Sequence, residues 1–167
     1  VGQCETCSGV QDWLENAEMI VFWSANPEGT SGAYGAMEGT VRRNWLKNTD
    51  IKIVHVDPYF NDTAQMLGGK WIAPRPTTSP ALAMAIANVW INEDLYDKDY
   101  VESKTKGFEV WKAYIMGDED GIPKTPEWAE DECGVPAKDI RALARDWGTK
   151  KTYLGAGGWG NGHGGAC

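Results

Sequence analysis

The chain has 167 residues, of which 42% are hydrophobic and 24% are charged, and its formal net charge is −8 at pH 7. This length suits one domain with its own core, and the composition is typical of a globular protein and not of a disordered one. The acidic balance argues against a nucleic-acid partner, because a phosphate backbone is bound by clustered Lys and Arg.

The chain alternates apolar runs of strand length with longer segments of helical periodicity. In chain order we predict a helical turn over 12–16, a strand over 19–23, a loop over 24–29, a helix over 32–46, a strand over 51–56, a helix over 61–67, a strand over 70–73, a helix over 79–91, one or two helices around 107, helices over 125–133 and 136–147, and a strand over 152–155. Ser79 is predicted as the N-cap of its helix. The alternation indicates an α/β fold, a Rossmann-like parallel sheet flanked by helices.

We interpret residues 1–167 as one α/β domain that is an internal fragment of a larger chain. The segments 1–16 and 156–167 are expected to be cut or frayed ends, since the first residue is Val1 and the last run is rich in glycine. No apolar run approaches the roughly 20 residues of a membrane-spanning helix. No signal peptide is recognisable, so the compartment stays unassigned. Such a fragment is expected to expose apolar surface and to self-associate.

Four cysteines are present, and two of them form the pair Cys4-x-x-Cys7. This pair has half of the spacing of a zinc or iron–sulfur site. No second pair follows, and the only histidines are His55 and His163. The pattern therefore favours free thiols, and we assign no metal-ligating residue in this chain.

The loops that leave the strands are the candidate binding sites, because ligands of parallel α/β sheets bind beyond the carboxyl ends of the strands. The first loop carries Trp23, Ser24, Asn26 and Pro27. Its amide and hydroxyl groups suit a phosphate or ribose, and backbone amides at the next helix start can face an anion. The alternative is a capped loop without a ligand. The absence of G-x-G-x-x-G after this strand counts against an ordinary NAD-type oxidoreductase.

Two further loops offer polar groups at strand or helix ends. Asp57 and Pro58 follow the second strand, where an acidic side chain often holds ribose hydroxyls. Turn or helix capping is the alternative there, and Asn61 is a candidate N-cap of the next helix. In the third loop, Thr78 and Ser79 precede the positive end of a helix dipole. Capping by Ser79 is the alternative reading of that loop.

Taken in order, these segments resemble the DMSO reductase family of molybdenum and tungsten enzymes. The matching runs are Trp-Ser-Ala-Asn-Pro at 23–27, Ile-Val-His-Val-Asp-Pro at 53–58, Trp-Ile-Ala-Pro at 71–74 leading into the helix from 79, Gly-Asp-Glu-Asp-Gly-Ile-Pro-Lys-Thr-Pro-Glu-Trp at 117–128, Gly-Val-Pro-Ala at 134–137, and Gly-Gly-Trp-Gly at 157–160. The likeness covers nearly the whole chain from about residue 17. Within the family, the chain is most similar to the branch of pyrogallol–phloroglucinol transhydroxylases and catechol dehydroxylases.

The resemblance implies a bis(molybdopterin guanine dinucleotide) cofactor with molybdenum or tungsten, and a parent enzyme that acts on aromatic hydroxyl groups. The implied cofactor-binding residues are Trp23, Ser24, Asn26 and Pro27 along the dinucleotide, Asp57 and Pro58 at ribose or guanine, Thr78 and Ser79 at guanine, and Gly158, Trp159 and Gly160 near the pterin. A DMSO/TMAO-type oxygen-atom-transfer reductase is the alternative parent. In isolation, the chain could be a non-catalytic nucleotide-binding or interaction module.

The chain departs from the family pattern where Thr77-Thr78-Ser79 stands in place of the common Gly-Thr-Asp. A carboxylate accepts two hydrogen bonds from guanine, which the Ser79 hydroxyl cannot do in the same way. The resemblance places the metal ligand upstream of this segment, so no catalytic residue is assigned here. It also implies partners: the remaining domains of the parent chain, an iron–sulfur electron-transfer subunit with its clusters, and a small-molecule substrate.

Overall fold

The computed structural model describes residues 10–30, 47 and 49–156. In chain order its elements are α1 (Val10–Asn16), β1 (Met19–Trp23), α2 (Pro27–Thr30), β2 (Lys52–Val56), α3 (Asp62–Leu67), β3 (Lys70–Ile72), α4 (Ser79–Asn92), α5 (Lys98–Lys104), α6 (Phe108–Met116), α7 (Pro126–Cys133), α8 (Ala137–Thr149) and β4 (Thr152–Ala156). The described residues fall into two compact units, one up to Trp71 and again from Lys150, the other from Ile72 to Thr149.

The first unit is built on a four-stranded sheet in the order β3-β2-β1-β4. β1 pairs in parallel with both of its neighbours, and Met19 lies opposite Lys52 on β2 and Thr152 on β4. β1 is paired along both edges, and its first four residues are all buried although successive side chains point to opposite faces of the sheet, so both faces are covered. This explains why β1 is a continuous apolar run and not an alternating one.

The core on one face of this sheet is formed by Ile20, Phe22 and Ile53. The Phe22 ring stacks on the His55 ring, with centroids 5.4 Å apart and an interplanar angle of 11°. On β4, which pairs with the other edge of β1, a Cβ at Gly155 would lie 3.1 Å from the Phe22 ring. Glycine at 155 therefore lets the aromatic ring lie close to the backbone of β4.

The second unit is helical, and α4 is its central element. Leu82, Ala85 and Ile86 of α4 are buried, and the helix packs against α6, α7 and α8. The indole nitrogen of Trp90 donates to the Ala144 carbonyl of α8 at 2.7 Å. The apolar residues of α4 recur with helical periodicity, so their side chains lie on the face that packs against the neighbouring helices.

Helix α7 is capped at both of its ends. Thr125 accepts a hydrogen bond from the Trp128 amide at the start of α7, and Gly134 ends that helix in the left-handed region with φ 76°. Between α6 and α7, the buried Lys124 ammonium pairs with the Asp120 carboxylate at 2.5 Å. The same ammonium lies 4.4 Å from the centroid of the Tyr114 ring. A lysine can be buried here because its charge is fully matched.

The predicted α/β class with a parallel sheet and flanking helices is confirmed. The helix predicted over 32–46 lies outside the described residues, and the single domain over 1–167 stays a prediction. Two local predictions are wrong. A short helix, α2, begins at Pro27 inside the predicted loop 24–29. The N-cap position of α4 belongs to Thr78 and not to Ser79, and no side chain caps it.

Thr78 has φ −103° and ψ 9°, which is not the extended backbone of a residue whose side chain caps a helix. Its hydroxyl instead donates to the Arg75 carbonyl at 2.8 Å and closes the preceding turn. Among the residues that the structure describes, no helix is both long and apolar enough to cross a membrane.

Candidate functional site

The loops that follow β1 and β2 leave the same edge of the sheet side by side. Trp23 lies opposite Val56 in the parallel register. One residue further along, the Ser24 amide donates to the Val56 carbonyl at 2.8 Å. The two loops predicted to bind a ligand are therefore neighbours, as parallel pairing of their strands requires.

Asn26 links these two loops through its side-chain amide. Its Oδ1 accepts from the Gly29 amide at 3.3 Å, the Thr63 amide at 3.1 Å and the Thr63 hydroxyl at 2.9 Å. Its Nδ2 donates to the Asp62 carboxylate at 3.1 Å. We call Asn26, Asp62 and Thr63 the loop clasp, since their hydrogen bonds join the segment after β1 to the start of α3.

Asp57 uses its carboxylate within the second loop. Only 7% of the residue is exposed. One carboxylate oxygen accepts from the Tyr59 amide at 3.1 Å, and the other accepts from the Asn61 amide nitrogen at 3.0 Å. Asn61 also caps α3, since its Oδ1 accepts from the Ala64 amide at 2.9 Å. The capping alternative for this loop is thus realised, and the carboxylate orders the turn that follows β2.

The start of α2 does not present its first amides to a ligand. The Glu28 amide donates to the Thr63 hydroxyl at 3.1 Å, and the Gly29 amide donates to Asn26. Free amides in the first turn are what an anion needs at a helix start. The amides of Glu28 and Gly29 are therefore not available to an anion, while the start of the predicted helix over 32–46, where the anion contact was expected, lies outside the described residues.

Other groups at the same edge remain accessible. Ser24 is exposed, and its side-chain hydroxyl makes no hydrogen bond within the described residues. Its φ is 49°, which is unusual for a residue other than glycine and is common at functional sites. Tyr59 and Phe60 are 59% and 51% exposed, and Phe60 lies edge-on to Trp71 with centroids 5.4 Å apart. Pro58 is exposed and Trp23 and Pro27 are half-buried.

His55 lies beneath these loops on β2 and is 1% exposed. Its Nε2 lies 2.8 Å from the Gly68 carbonyl oxygen, and its Nδ1 is buried with no hydrogen-bond partner among the described residues. Because a carbonyl can only accept, Nε2 carries a proton. Burial lowers the pKa of His55, although the Gly68 hydrogen bond and the Asp57 charge oppose this effect.

The third predicted loop belongs to the second unit. Thr77 is exposed and has a φ of 69°, which is strained for a β-branched residue. Thr78 and Ser79 are half-buried at the start of α4. Arg75 anchors the loop: its guanidinium donates to the Asp131 carbonyl at 2.7 Å, at the end of α7.

Several residues of the first site were not singled out from the sequence. Asp62 and Thr63 complete the loop clasp, and their place directly after the N-cap Asn61 is the signal that could have indicated them. The predicted residues Gly158, Trp159 and Gly160 lie outside the described residues. In the described part of the chain, no group of three or more His, Cys, Asp or Glu side chains is placed to hold a metal ion.

Comparison with known proteins places these features in a family. The family model described as molybdopterin oxidoreductase matches residues 3–157. The chain is 52% identical over 167 residues to the pyrogallol hydroxytransferase large subunit of Pelobacter acidigallici, which covers 100% of the chain and 19% of that protein. It is 39% identical over 153 residues to the dimethyl sulfoxide/trimethylamine N-oxide reductase of Cereibacter sphaeroides, with 86% of the chain and 18% of that protein covered.

A solved structure has the same fold. Acetylene hydratase from Pelobacter acetylenicus matches with a TM-score of 0.61 and 24% identity, over 84% of this chain and 18% of that chain. The chain thus spans about a fifth of the length of its relatives. The resemblance to the DMSO reductase family and its transhydroxylase branch, first indicated by the ordered motifs, is confirmed. On the strength of the family match and of these identities, the chain belongs to the molybdopterin oxidoreductase family.

Proposed function

We propose that this chain forms one wall of the binding site for a bis(molybdopterin guanine dinucleotide) cofactor in an enzyme that acts on aromatic hydroxyl groups. Family membership implies a molybdopterin with its metal. The guanine dinucleotide form and the choice of molybdenum or tungsten are part of the proposal. The proposal of an aromatic substrate rests on the 52% identity, along the entire chain, to a protein named pyrogallol hydroxytransferase large subunit.

The residues at the carboxyl edge of β1 and β2 fit the dinucleotide part of such a group. Ser24 offers an exposed hydroxyl, and Tyr59, Phe60 and Trp71 offer exposed rings in the same unit. Aromatic faces and hydroxyls are the groups that bind planar bases and sugars. In the family that the chain resembles, the protein ligand to the metal comes from sequence before this segment, so we propose that the metal ligand comes from another part of the parent chain.

The proposed cofactor contacts extend over four segments of the chain. We propose that Trp23, Ser24, Asn26 and Pro27 lie along the dinucleotide and that Asp57 and Pro58 shape its ribose or guanine end. The remaining proposed contacts are Thr78 and Ser79 at guanine and Gly158, Trp159 and Gly160 at the pterin. When bound, the cofactor supplies the redox chemistry of its metal, and these residues bind and orient it.

Other parts of the enzyme are proposed as partners. The relative from Pelobacter acidigallici is named a large subunit, and we propose that the parent of this chain also works with a second, iron–sulfur electron-transfer subunit. The remaining domains of the parent chain would complete the cofactor site. A DMSO/TMAO-type oxygen-atom-transfer reaction is the second candidate, and it has less support because identity to those reductases is 39–40%.

The test uses the full-length parent enzyme purified without air. We expect molybdenum or tungsten together with about two pterin guanine dinucleotides per metal, because both pterins ligate one metal in a bis-dinucleotide cofactor. Elemental analysis and nucleotide release measure both quantities, and a preparation that is active without either metal would overturn the proposal. Turnover of trihydroxybenzenes would support the aromatic substrate, whereas turnover of sulfoxides or N-oxides alone would favour the second candidate.

A further inference from the structure

Thr63 is completely buried, yet its polar atoms connect two segments that lie far apart in the sequence. Its hydroxyl donates to Oδ1 of Asn26 at 2.9 Å and accepts from the Glu28 amide at 3.1 Å. Its own amide donates to the same Asn26 oxygen at 3.1 Å. One residue of α3 therefore makes three hydrogen bonds to Asn26 and Glu28, which lie just before α2 and within it.

Neither the proton nor the oxygen of the Thr63 hydroxyl is exposed to solvent or to a ligand. A hydroxyl has one proton to donate, and here that proton is directed to Asn26. Its oxygen accepts from a backbone amide that would otherwise be unsatisfied at the start of α2. With 0% of the residue exposed, Thr63 cannot contact a cofactor at the sheet edge. Any effect that it has on binding must act through the loops.

The loops that it joins carry the accessible groups of the candidate site. Two residues before Asn26, Ser24 has a φ of 49° and an exposed side chain. A conformation of this kind persists in a residue other than glycine only where the surrounding structure holds it. On the other loop, Tyr59 and Phe60 are exposed shortly before α3 begins. The clasp therefore fixes Ser24 relative to these rings.

We propose that Thr63 is a positioning residue for the cofactor site, which holds the β1 and β2 loops at the spacing that the nucleotide end of the cofactor requires. This inference rests on the proposed function. It gives Asn26 a positioning role in addition to its proposed place along the dinucleotide, so that the clasp sets the separation between Ser24 and the exposed rings. Preorganisation of this kind lowers the cost of binding, because the loops need not be ordered when the ligand arrives.

The experiment compares the full-length parent enzyme with its Thr63→Val and Thr63→Ser variants. Valine keeps the shape of threonine without the hydroxyl, and serine keeps the hydroxyl. Each protein is diluted and passed repeatedly through a desalting column, and the pterin and metal that remain are measured over time. We expect Thr63→Val to lose cofactor about tenfold faster, as removal of one or two buried hydrogen bonds predicts, and Thr63→Ser to match the wild type.

A core variant separates positioning from general stability. Val54→Ala removes apolar volume from the same sheet at a residue that is 2% exposed and that has no hydrogen bond to the clasp. We expect it to lower the melting temperature at least as much as Thr63→Val while it keeps the wild-type rate of cofactor loss. Cofactor loss that follows the melting temperature across all variants would overturn the positioning role.

The remaining outcomes are also decisive. Should Thr63→Val fold poorly, Asp62→Ala removes one bond of the clasp at an exposed residue, and an unchanged rate of cofactor loss in that variant would overturn the proposal. Wild-type cofactor content with normal retention in Thr63→Val would refute the inference and leave the proposed function standing. A wild-type enzyme without pterin would refute both.

Discussion

Asn26 and Asp57 direct most of their hydrogen-bonding capacity into the protein. The Asn26 oxygen accepts three hydrogen bonds and the Asp57 carboxylate accepts two, all from donors in the described loops. Both residues were chosen from the sequence because their chemistry suits a nucleotide. The same chemistry suits loop closure, since amides and carboxylates compete for backbone donors wherever a strand ends.

His55 is expected to make the stability of the chain depend on pH. Its pKa is lowered in the folded state, chiefly by burial, while in the unfolded chain it is about 6.5. Below that value the unfolded state binds a proton that the folded state does not, so the free energy of unfolding falls with falling pH until the folded pKa is reached. Urea unfolding at several pH values measures this, with a slope of at most about 1.4 kcal/mol per pH unit from one proton.

The matched variant for this prediction is His55→Gln. A glutamine amide can still donate to the Gly68 carbonyl, but it does not titrate. The difference in unfolding free energy between wild type and variant isolates His55 from the carboxylates and from His163. A difference that is the same at about pH 5 and about pH 7.5 would show that His55 has its ordinary pKa in the folded chain.

At the scale of elements, the short helices α2 and α3 stabilise each other's first turns. The Thr63 hydroxyl of α3 accepts from the Glu28 amide of α2, and Asn26, just before α2, accepts from the Thr63 amide. α2 has only four residues and α3 has six, which is too short for either to be stable alone. The clasp satisfies amides in the first turn of both. Helix α2 was not predicted from the sequence, because the hydrogen bonds that stabilise it come from residues distant in the chain and leave no local pattern.

Gly29 is the element-scale test of the clasp. A Cβ at this position would overlap the Asn26 amide and lie 2.9 Å from the Asp62 carboxylate. We therefore expect Gly29→Ala to destabilise the chain by about 1–3 kcal/mol, despite the better helix propensity of alanine. Chemical denaturation measures the change in unfolding free energy.

A double-mutant cycle with Asn26→Ala identifies the cause. Once the Asn26 amide is gone, most of the clash with a new Cβ disappears, so Gly29→Ala should cost much less in that background. If the changes in unfolding free energy of the two substitutions are additive, the clasp is not what excludes a side chain at position 29.

At the scale of the molecule, the described surface includes large apolar side chains in both units. In the first unit these are Tyr59, Phe60 and Trp71, and in the second unit Tyr100, Val110 and Trp111, which are between 40% and 68% exposed. Apolar surface of this extent commonly marks contact with another protein or another domain. The relatives are about five times as long as this chain.

The chain prepared by itself is therefore expected to self-associate through these side chains. Static light scattering over a roughly hundredfold concentration range should give an apparent mass that rises with concentration. Replacing Val110 and Trp111 with lysine should reduce that rise, and Lys112→Glu serves as a control that changes charge but not apolar area. Monodisperse monomer at high concentration would contradict the expectation.

The sequence by itself determined the fold class and the family. The apolar run 19–23, the alternation over 51–56 and the capping signals at Thr125 and Gly134 are local patterns, and the structure follows them. The order of the motifs along the chain was enough to indicate the molybdopterin oxidoreductases, because several linked motifs are more specific than any one alone.

Only the tertiary structure decided which polar groups face outward. The residue type of Asn26 does not reveal that its amide is bound by Thr63, which lies 37 residues away. Likewise, Ser79 was predicted to cap its helix, but Thr78 holds the N-cap position and its hydroxyl donates to the Arg75 carbonyl. The physical reason is that a side-chain amide or hydroxyl takes whichever donor or acceptor the folded chain brings within about 3 Å, and that choice is made between segments distant in sequence.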